Sequence, residues 1–189
     1  MQVLGTIPYQ GVRTDIVVDE KQWRPLRLVS GRFHVSPALA KNQDKLLAAY
    51  RAFCQKQMRR IIEKHLRKLL DKKISYTIKY TDGSRKSERI SAREYAKKLG
   101  IEKIRYEIGT YQSEWGINQI DTKRQEFVLH FNVTLLMYDK DQKIGFVVAH
   151  EVAHIFERGH DRAFQEVLGK LYSGKRGHER FWDKGVSKI

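Results

Sequence analysis

Two histidines and a glutamate lie within five consecutive residues in the last quarter of the sequence, His150-Glu151-Val152-Ala153-His154. Residues four apart share one face of an α-helix, so the two imidazoles can bind one metal ion. Glu151 projects beside that ion, where a carboxylate can take a proton from a bound water molecule. The five residues therefore predict a hydrolytic metal site with Glu151 as the catalytic general base.

A third metal ligand is expected from the residues that follow. His160 lies six residues beyond His154, and Gly159 permits the turn that would bring it back to the ion. Glu166, a carboxylate on a second helix, is the alternative; we favour His160. Three protein ligands and one water leave the open position of a catalytic zinc site, so Zn2+ is the expected cofactor.

The elements that must position this motif can be read from the flanking residues. Gln142–Glu157 is apolar enough to form a buried helix that carries the motif, and Asp161–Tyr172 predicts a further helix. Lys103–Thr110 and Glu126–Val133 are predicted strands. An extended peptide could pair with the edge of the second strand by strand addition.

The earlier part of the chain predicts hairpins and one long helix. Short strands are expected at Asp15–Val18, Leu26–Val29 and Arg32–Val35, because glycines and prolines interrupt the apolar residues between them. From about Asn42 to Lys72, apolar positions recur in steps of three and four, which is typical of an amphipathic helix. They are Leu47, Tyr50, Cys54, Met58, Ile61, His65 and Leu69.

The region after this helix predicts a strand and a capped helix. Ile74–Tyr80 alternates like a strand, and Asp82-Gly83 closes it. Ser91 and Glu94 have the spacing of a capping box for a short helix that ends at Gly100. The order of elements predicts an α+β fold, with one small mixed sheet packed on the long helix and on the helix of the motif.

Composition limits the class of protein. The chain has 189 residues, of which 41% are hydrophobic, and a single cysteine, Cys54. These values exclude wholesale disorder and a disulfide framework, and no apolar run is long enough to span a membrane. We expect a soluble, cytoplasmic, single-domain protein over residues 1–189. Its predicted parts are hairpins at 1–40, the long helix at 41–73, a catalytic core at 100–172 and a basic tail at 173–189.

Positive charge is the other feature of the composition. Lys and Arg number 37 against 22 Asp and Glu, a formal net charge of +15. Residues 51–73 carry nine Lys or Arg against Glu63 and Asp71, a net of +7. We favour a solvated surface for this helix face, and sequence-independent contact with nucleic acid is the alternative that its charge suits.

The segment from about Arg105 to Leu171 resembles the YgjP-like metallopeptidases, which are related to the WLM and SprT-like groups. The resemblance rests on four motifs in order, Trp115-Gly116, Val128–Asn132, His150–His154 and His160–Phe164. It implies a zincin-like fold, zinc bound by His150, His154 and His160, Glu151 as general base, and a protein or peptide substrate. Ile117-Asn118 replaces the Ser-Cys pair of the family, so no role for that pair is carried over.

Three functions remain open at this point. The leading one is a zinc-dependent peptidase, which would cut proteins held on nucleic acid if the basic face binds phosphates. A metal-dependent nucleotide phosphohydrolase is the second, although the sequence contains no phosphate loop. A non-catalytic nucleic-acid-binding module with structural zinc is the third, and Glu151 argues against it. Four residues are unranked candidates for a second oxyanion donor: Tyr111, Tyr172, Arg176 and His178.

Overall fold

The computed structural model describes residues 1–112, 114–138 and 141–173. Strands and helices follow one another along the chain in an α+β arrangement. Their order is β1 (Gln2–Tyr9), β2 (Val12–Val18), β3 (Leu26–Val29), β4 (Arg32–Val35), α1 (Pro37–Ala40), α2 (Gln43–Leu70), β5 (Ile74–Lys79), β6 (Arg85–Ile90), α3 (Ala92–Lys98), β7 (Lys103–Gly109), β8 (Gly116–Asp121), β9 (Glu126–Asn132), α4 (Leu135–Tyr138), α5 (Asp141–Ala153) and α6 (Arg162–Leu171).

Three separate sheets replace the single small sheet expected from the sequence. Their strand orders are β1-β2-β4-β3, β5-β6 and β7-β9-β8. The contacts divide the chain into two units, one of Met1–Ile61 with Val133–Ile144 and one of Ile62–Asn132 with Gly145 onward. The four-stranded sheet belongs to the first unit, and the other two sheets belong to the second.

The sheet of the first unit is built from two hairpins, and hairpins were predicted in this region. Strands β1 and β2 are antiparallel, β3 and β4 are antiparallel, and a parallel pairing of β2 with β4 joins the hairpins into one sheet. Both hairpins turn on two residues with positive φ, Gln10-Gly11 (49° and 77°) and Ser30-Gly31 (47° and 75°). Two successive residues of this conformation match the right-handed twist of the strands. Strand β1 was not predicted from the sequence.

Helix α2 buries an apolar stripe that differs in part from the predicted one. Tyr50, Cys54 and Met58 are buried as expected, whereas Leu47 is 38% exposed and lies outside the stripe. In the second half of the helix, four-residue steps continue, so the stripe passes through Ile62 rather than Ile61. The basic side chains on the rest of the helix surface are exposed: Arg51, Lys56, Arg59, Arg60, Lys64, Arg67 and Lys68.

The hairpin of β5 and β6 leads into a helix that begins as predicted. The Ser91 hydroxyl accepts a hydrogen bond from the Glu94 backbone N–H, and the Glu94 carboxylate accepts one from the Ser91 N–H. This capping box starts α3, and Gly100 follows the helix with a φ of +76°.

The sheet next to the predicted motif places β9 in its centre. Strand β9 pairs in parallel with β7 and antiparallel with β8. The expectation that a peptide pairs with an edge of Glu126–Val133 is therefore wrong, because both edges of this strand are already hydrogen-bonded. The outer strands are β7 and β8, and β8 was not predicted from the sequence.

The motif helix α5 is shorter than expected. It ends at Ala153 and not at Glu157, so His154 lies in the turn that follows. The His154 N–H still donates to the His150 carbonyl at 3.2 Å, which keeps the two residues one helical turn apart. Helix α6 then begins after Asp161, whose carboxylate accepts from the Phe164 N–H. None of the helices in the described residues combines the length and apolarity needed to cross a membrane.

Candidate metal centre

Three histidine side chains converge at the end of α5. The Nε2 atom of His150 lies 3.2 Å from Nε2 of His154 and 3.0 Å from Nε2 of His160. Among the described residues, these three form a group with ligand atoms within 4.8 Å of one another that could hold a metal ion. A tetrahedral zinc ion with Zn–N bonds of about 2.0–2.1 Å separates its nitrogen ligands by about 3.3 Å. The donor set and its spacing therefore fit such an ion.

The hydrogen-bond partner of the second ring nitrogen of His154 shows which nitrogen carries the proton. Nδ1 of His154 lies 3.0 Å from the Glu157 carbonyl oxygen. A carbonyl oxygen only accepts hydrogen bonds, so Nδ1 carries the proton and donates it. The lone pair of His154 is then on Nε2, which is the atom facing His150 and His160. This is the arrangement that metal-binding histidines generally adopt.

The surroundings favour the neutral form of the imidazoles. Burial, together with the nearby His154 and His160, lowers the pKa of His150 to about 3. Burial also lowers the pKa of His154, and the hydrogen bond to the Glu157 carbonyl acts in the opposite direction. A metal ion binds the neutral imidazole, so this environment keeps both side chains ready to act as ligands at neutral pH.

Phe164 packs against all three imidazole rings. Its ring centroid lies 4.9 Å from that of His150, 4.6 Å from that of His154 and 4.9 Å from that of His160. Asp161, the N-cap of α6, fixes the backbone of Phe164. The phenylalanine of the His160–Phe164 motif thus forms an apolar wall of the cluster.

Glu151 faces the sheet and is almost completely enclosed. Its exposure is 2%, and burial raises the pKa of its carboxyl group to about 8. A Cβ on Gly116 would lie 2.5 Å from Glu151 Oε1, so only glycine leaves room for the carboxylate there. The Asn118 side chain donates to the Glu151 carbonyl oxygen at 3.0 Å. Strand β8 therefore positions Glu151 both through its side chain and through its backbone.

Asn132 fixes the segment that leads into β8. Its side-chain amide donates to the carbonyl oxygens of Tyr111 (2.7 Å) and Glu114 (2.9 Å), and its N–H donates to Trp115 O at 3.0 Å. These bonds hold the residues immediately before Gly116. The signal in the sequence was an asparagine at the end of an apolar strand, but nothing in it showed which carbonyls the side chain would bind.

The structure describes three of the remaining candidates, Glu166, Tyr111 and Tyr172. Glu166 pairs with Arg162 at 3.2 Å and is not part of the cluster, so the structure brings in His160 and not Glu166. Tyr111 Oη bonds to His130 Nδ1 at 3.0 Å, and the Tyr172 ring packs on Phe146. Arg176, His178 and the rest of the basic tail beyond residue 173 lie outside the described residues.

Comparison with known proteins identifies one family. Residues 2–181 match the family model described as "YgjP-like, metallopeptidase domain". No curated protein and no solved structure matches the chain. The match extends well beyond residues 105–171, on which the resemblance in the sequence rested.

Proposed function

The chain belongs to the YgjP-like metallopeptidase family, and from this premise we propose that it is a zinc-dependent peptidase with a zincin-like fold. The observation that carries the proposal is the convergence of three histidine nitrogens, together with a buried glutamate that directly follows the first histidine in the chain. His150, His154 and His160 would hold the ion, and Glu151 would serve as the general base.

Glu151 carries the proton transfers in this proposal. A zinc ion bound by the three imidazoles would act as a Lewis acid toward water and toward the peptide carbonyl. The Glu151 carboxylate accepts a proton from the water molecule as the water oxygen adds to the carbonyl carbon. It then donates that proton to the leaving amine nitrogen as the C–N bond breaks. A nearby cation favours the ionised carboxylate, against the effect of burial.

Strand β8 is the element that we propose for peptide binding. It pairs with β9 along one edge, and no other strand of the described residues pairs with its second edge. Gly116 and Asn118 of this strand both contact Glu151. A substrate strand added to β8 would therefore run beside the general base.

Glu151→Gln is the variant that tests the proposal. It keeps the size of the side chain but removes the base, so bound zinc should remain at the wild-type level while peptide hydrolysis is lost. His150→Ala should lose the zinc, and Glu166→Gln should change neither property. Wild-type hydrolysis by Glu151→Gln, or an unchanged zinc content in His150→Ala, would contradict the assignment.

The same variants separate the two alternatives. Nucleotide hydrolysis by the wild type that disappears in Glu151→Gln would favour a metal-dependent phosphohydrolase. Stoichiometric zinc with no turnover of peptides or nucleotides would favour a nucleic-acid-binding module with structural zinc.

Helix α2 supports a proposal about where substrates are held. Lys56, Arg60, Lys64 and Arg67 are exposed and follow one another at three- and four-residue steps. Their backbone positions are about 4.5–6 Å apart along the helix axis. A row of cations with this spacing suits the phosphates of a nucleic acid without selecting bases. We therefore propose that the peptidase acts on proteins associated with nucleic acid.

A further inference from the structure

Tyr76 is far from the three histidines in the sequence, but its side chain is hydrogen-bonded to the turn that follows α5 and contains His154. The Tyr76 hydroxyl, on β5, lies 3.1 Å from the Phe156 carbonyl oxygen and 3.0 Å from Glu157 Oε1. A hydroxyl has one proton to donate, and here two acceptors lie within its reach. Both acceptors belong to the turn that follows α5.

This turn also provides the hydrogen-bond partner of a candidate metal ligand. Glu157, whose side chain contacts Tyr76, accepts from His154 Nδ1 through its carbonyl oxygen. The backbone N–H groups of Phe156 and Glu157 both donate to Ala153 O. The position of the Glu157 carbonyl therefore depends on a single tight turn, and Tyr76 bonds to two consecutive residues of that turn.

Aromatic packing restrains the same turn from two further directions. The Phe156 ring is stacked on Tyr95 of α3, with centroids 5.1 Å apart and an interplanar angle of 11°. It also meets the Tyr76 ring edge-on at 5.1 Å. Phe156 is 5% exposed. The ring of Tyr76 thus contributes packing, while its hydroxyl contributes the bonds to the backbone and to the carboxylate.

We propose that Tyr76 is a positioning residue for the metal centre. Its hydroxyl fixes the Phe156–Glu157 segment so that the Glu157 carbonyl keeps the proton of His154 on Nδ1 and leaves Nε2 for the ion. This inference rests on the proposed zinc binding. Loss of an outer hydrogen-bond partner of a ligating histidine lowers metal affinity by about 10–100-fold.

Tyr76→Phe tests the inference because it removes the hydroxyl and keeps the ring. Zinc affinity, measured by competition with a chromogenic chelator, should fall by up to about 10-fold, because Tyr76 acts one step beyond the carbonyl that bonds to His154. Tyr106→Phe is the matched control, since the Tyr106 hydroxyl donates to Glu63 at 2.6 Å. Its zinc affinity should stay at the wild-type value. In the cobalt-substituted protein, the visible absorption bands should shift in Tyr76→Phe and not in Tyr106→Phe.

Glu157 provides a second pair of variants should Tyr76→Phe fail to fold. Glu157→Gln keeps an acceptor oxygen for Tyr76 and should retain wild-type zinc affinity, whereas Glu157→Ala should bind zinc more weakly. Equal zinc affinity in Glu157→Ala and the wild type, or in a folded Tyr76→Phe and the wild type, would overturn the positioning role. Failure of the wild-type protein to bind zinc would overturn the proposed function instead, so the two failures are distinguishable.

Discussion

Gly116 lies so close to Glu151 that any side chain at position 116 would displace the carboxylate. A Cβ at Gly116 would lie 2.5 Å from Glu151 Oε1 and 2.8 Å from the carboxyl carbon. Gly116, the first residue of β8, and Glu151 of α5 are therefore in close contact where the strand meets the helix. Placement of the proposed general base therefore depends on a glycine 35 positions earlier in the chain.

Gly116→Ala should reduce peptide hydrolysis about 100-fold, because a displacement of about 1 Å in a catalytic group has an effect of that size. Zinc affinity should remain at the wild-type level, since the atoms that the new methyl group meets belong to Glu151 and not to a histidine. The measurements are steady-state hydrolysis of a peptide and zinc affinity by chelator competition.

Gly169→Ala is the control for this substitution. A Cβ at Gly169, in α6, would meet no atom within 4 Å. Activity should be unchanged, and the free energy of unfolding should rise by about 0.5–1 kcal/mol because alanine favours the helix. Equal activity of Gly116→Ala and Gly169→Ala would contradict the positioning of Glu151 by β8.

His160→Ala and Glu166→Ala distinguish the two candidates for the third ligand. His160 Nε2 lies 3.0 Å from His150 Nε2, whereas the Glu166 carboxylate pairs with Arg162. His160→Ala should bind zinc at least 10-fold more weakly, and Glu166→Ala should bind it as the wild type does. Isothermal titration of the metal-free proteins with zinc measures both. The reverse order of affinities would assign the third ligand to Glu166.

The capping box of α3 should make stability depend on pH. The Ser91 N–H, and then the Lys73 ammonium, lower the pKa of Glu94 from 4.5 to about 2. As pH falls, the unfolded chain takes up this proton before the folded chain does, so the stabilisation is complete above about pH 5 and is lost as the pH falls from there to about 2. The difference in free energy of unfolding between the wild type and Glu94→Gln should therefore narrow from pH 7 to pH 3.

Urea denaturation at several pH values measures this difference. Glu20→Gln changes an exposed carboxylate of the first unit and serves as the control. If the difference in free energy of unfolding between the wild type and Glu94→Gln stays constant across this pH range, the ionised carboxylate does not stabilise α3.

Nucleic-acid binding should depend on the exposed cations of α2. Replacement of Lys56, Arg60 and Arg67 by Gln should weaken binding of a duplex of arbitrary sequence and reduce the dependence of log K on log salt by up to about 3. The matched control replaces three other exposed cations by Gln: Arg13, Arg24 and Arg27. Fluorescence anisotropy at several salt concentrations measures both. Equal effects of the two triple variants would indicate attraction by net charge alone.

Strands and helix ends that depend on neighbouring residues were predicted from the sequence. Strands β3 and β4 have the predicted bounds because Pro25, Gly31 and Pro37 interrupt the chain around them. The capping box at Ser91 was likewise visible, since its bonds join residues three positions apart. The four-residue spacing of His150 and His154 predicted that they share one helix face, and Gly159 favoured the return of His160, while Glu166 stayed open as the third ligand.

Long-range contacts account for what could not be predicted. Strand β6 has the sequence RKSERI, which has little strand character, and it forms because each of its residues pairs with β5. Helix α5 was predicted to reach Glu157 because Ile155 and Phe156 continue the apolar pattern. The chain turns there instead, with Phe156 packed against Tyr76 and Tyr95. Strand β9 is central because it pairs in parallel with β7, and no local sequence pattern predicts that pairing.

Placement of the three histidines within eleven consecutive residues separates their convergence from the positioning of Glu151. Closing so short a loop has a small entropic cost, so we expect these side chains to come together early, while the rest of the second unit is still forming. Glu151 reaches its position only when β8 has docked, after a much longer segment has closed. Bound zinc would therefore report on the turn after α5 and its contact with Tyr76, and turnover would report in addition on the docking of β8.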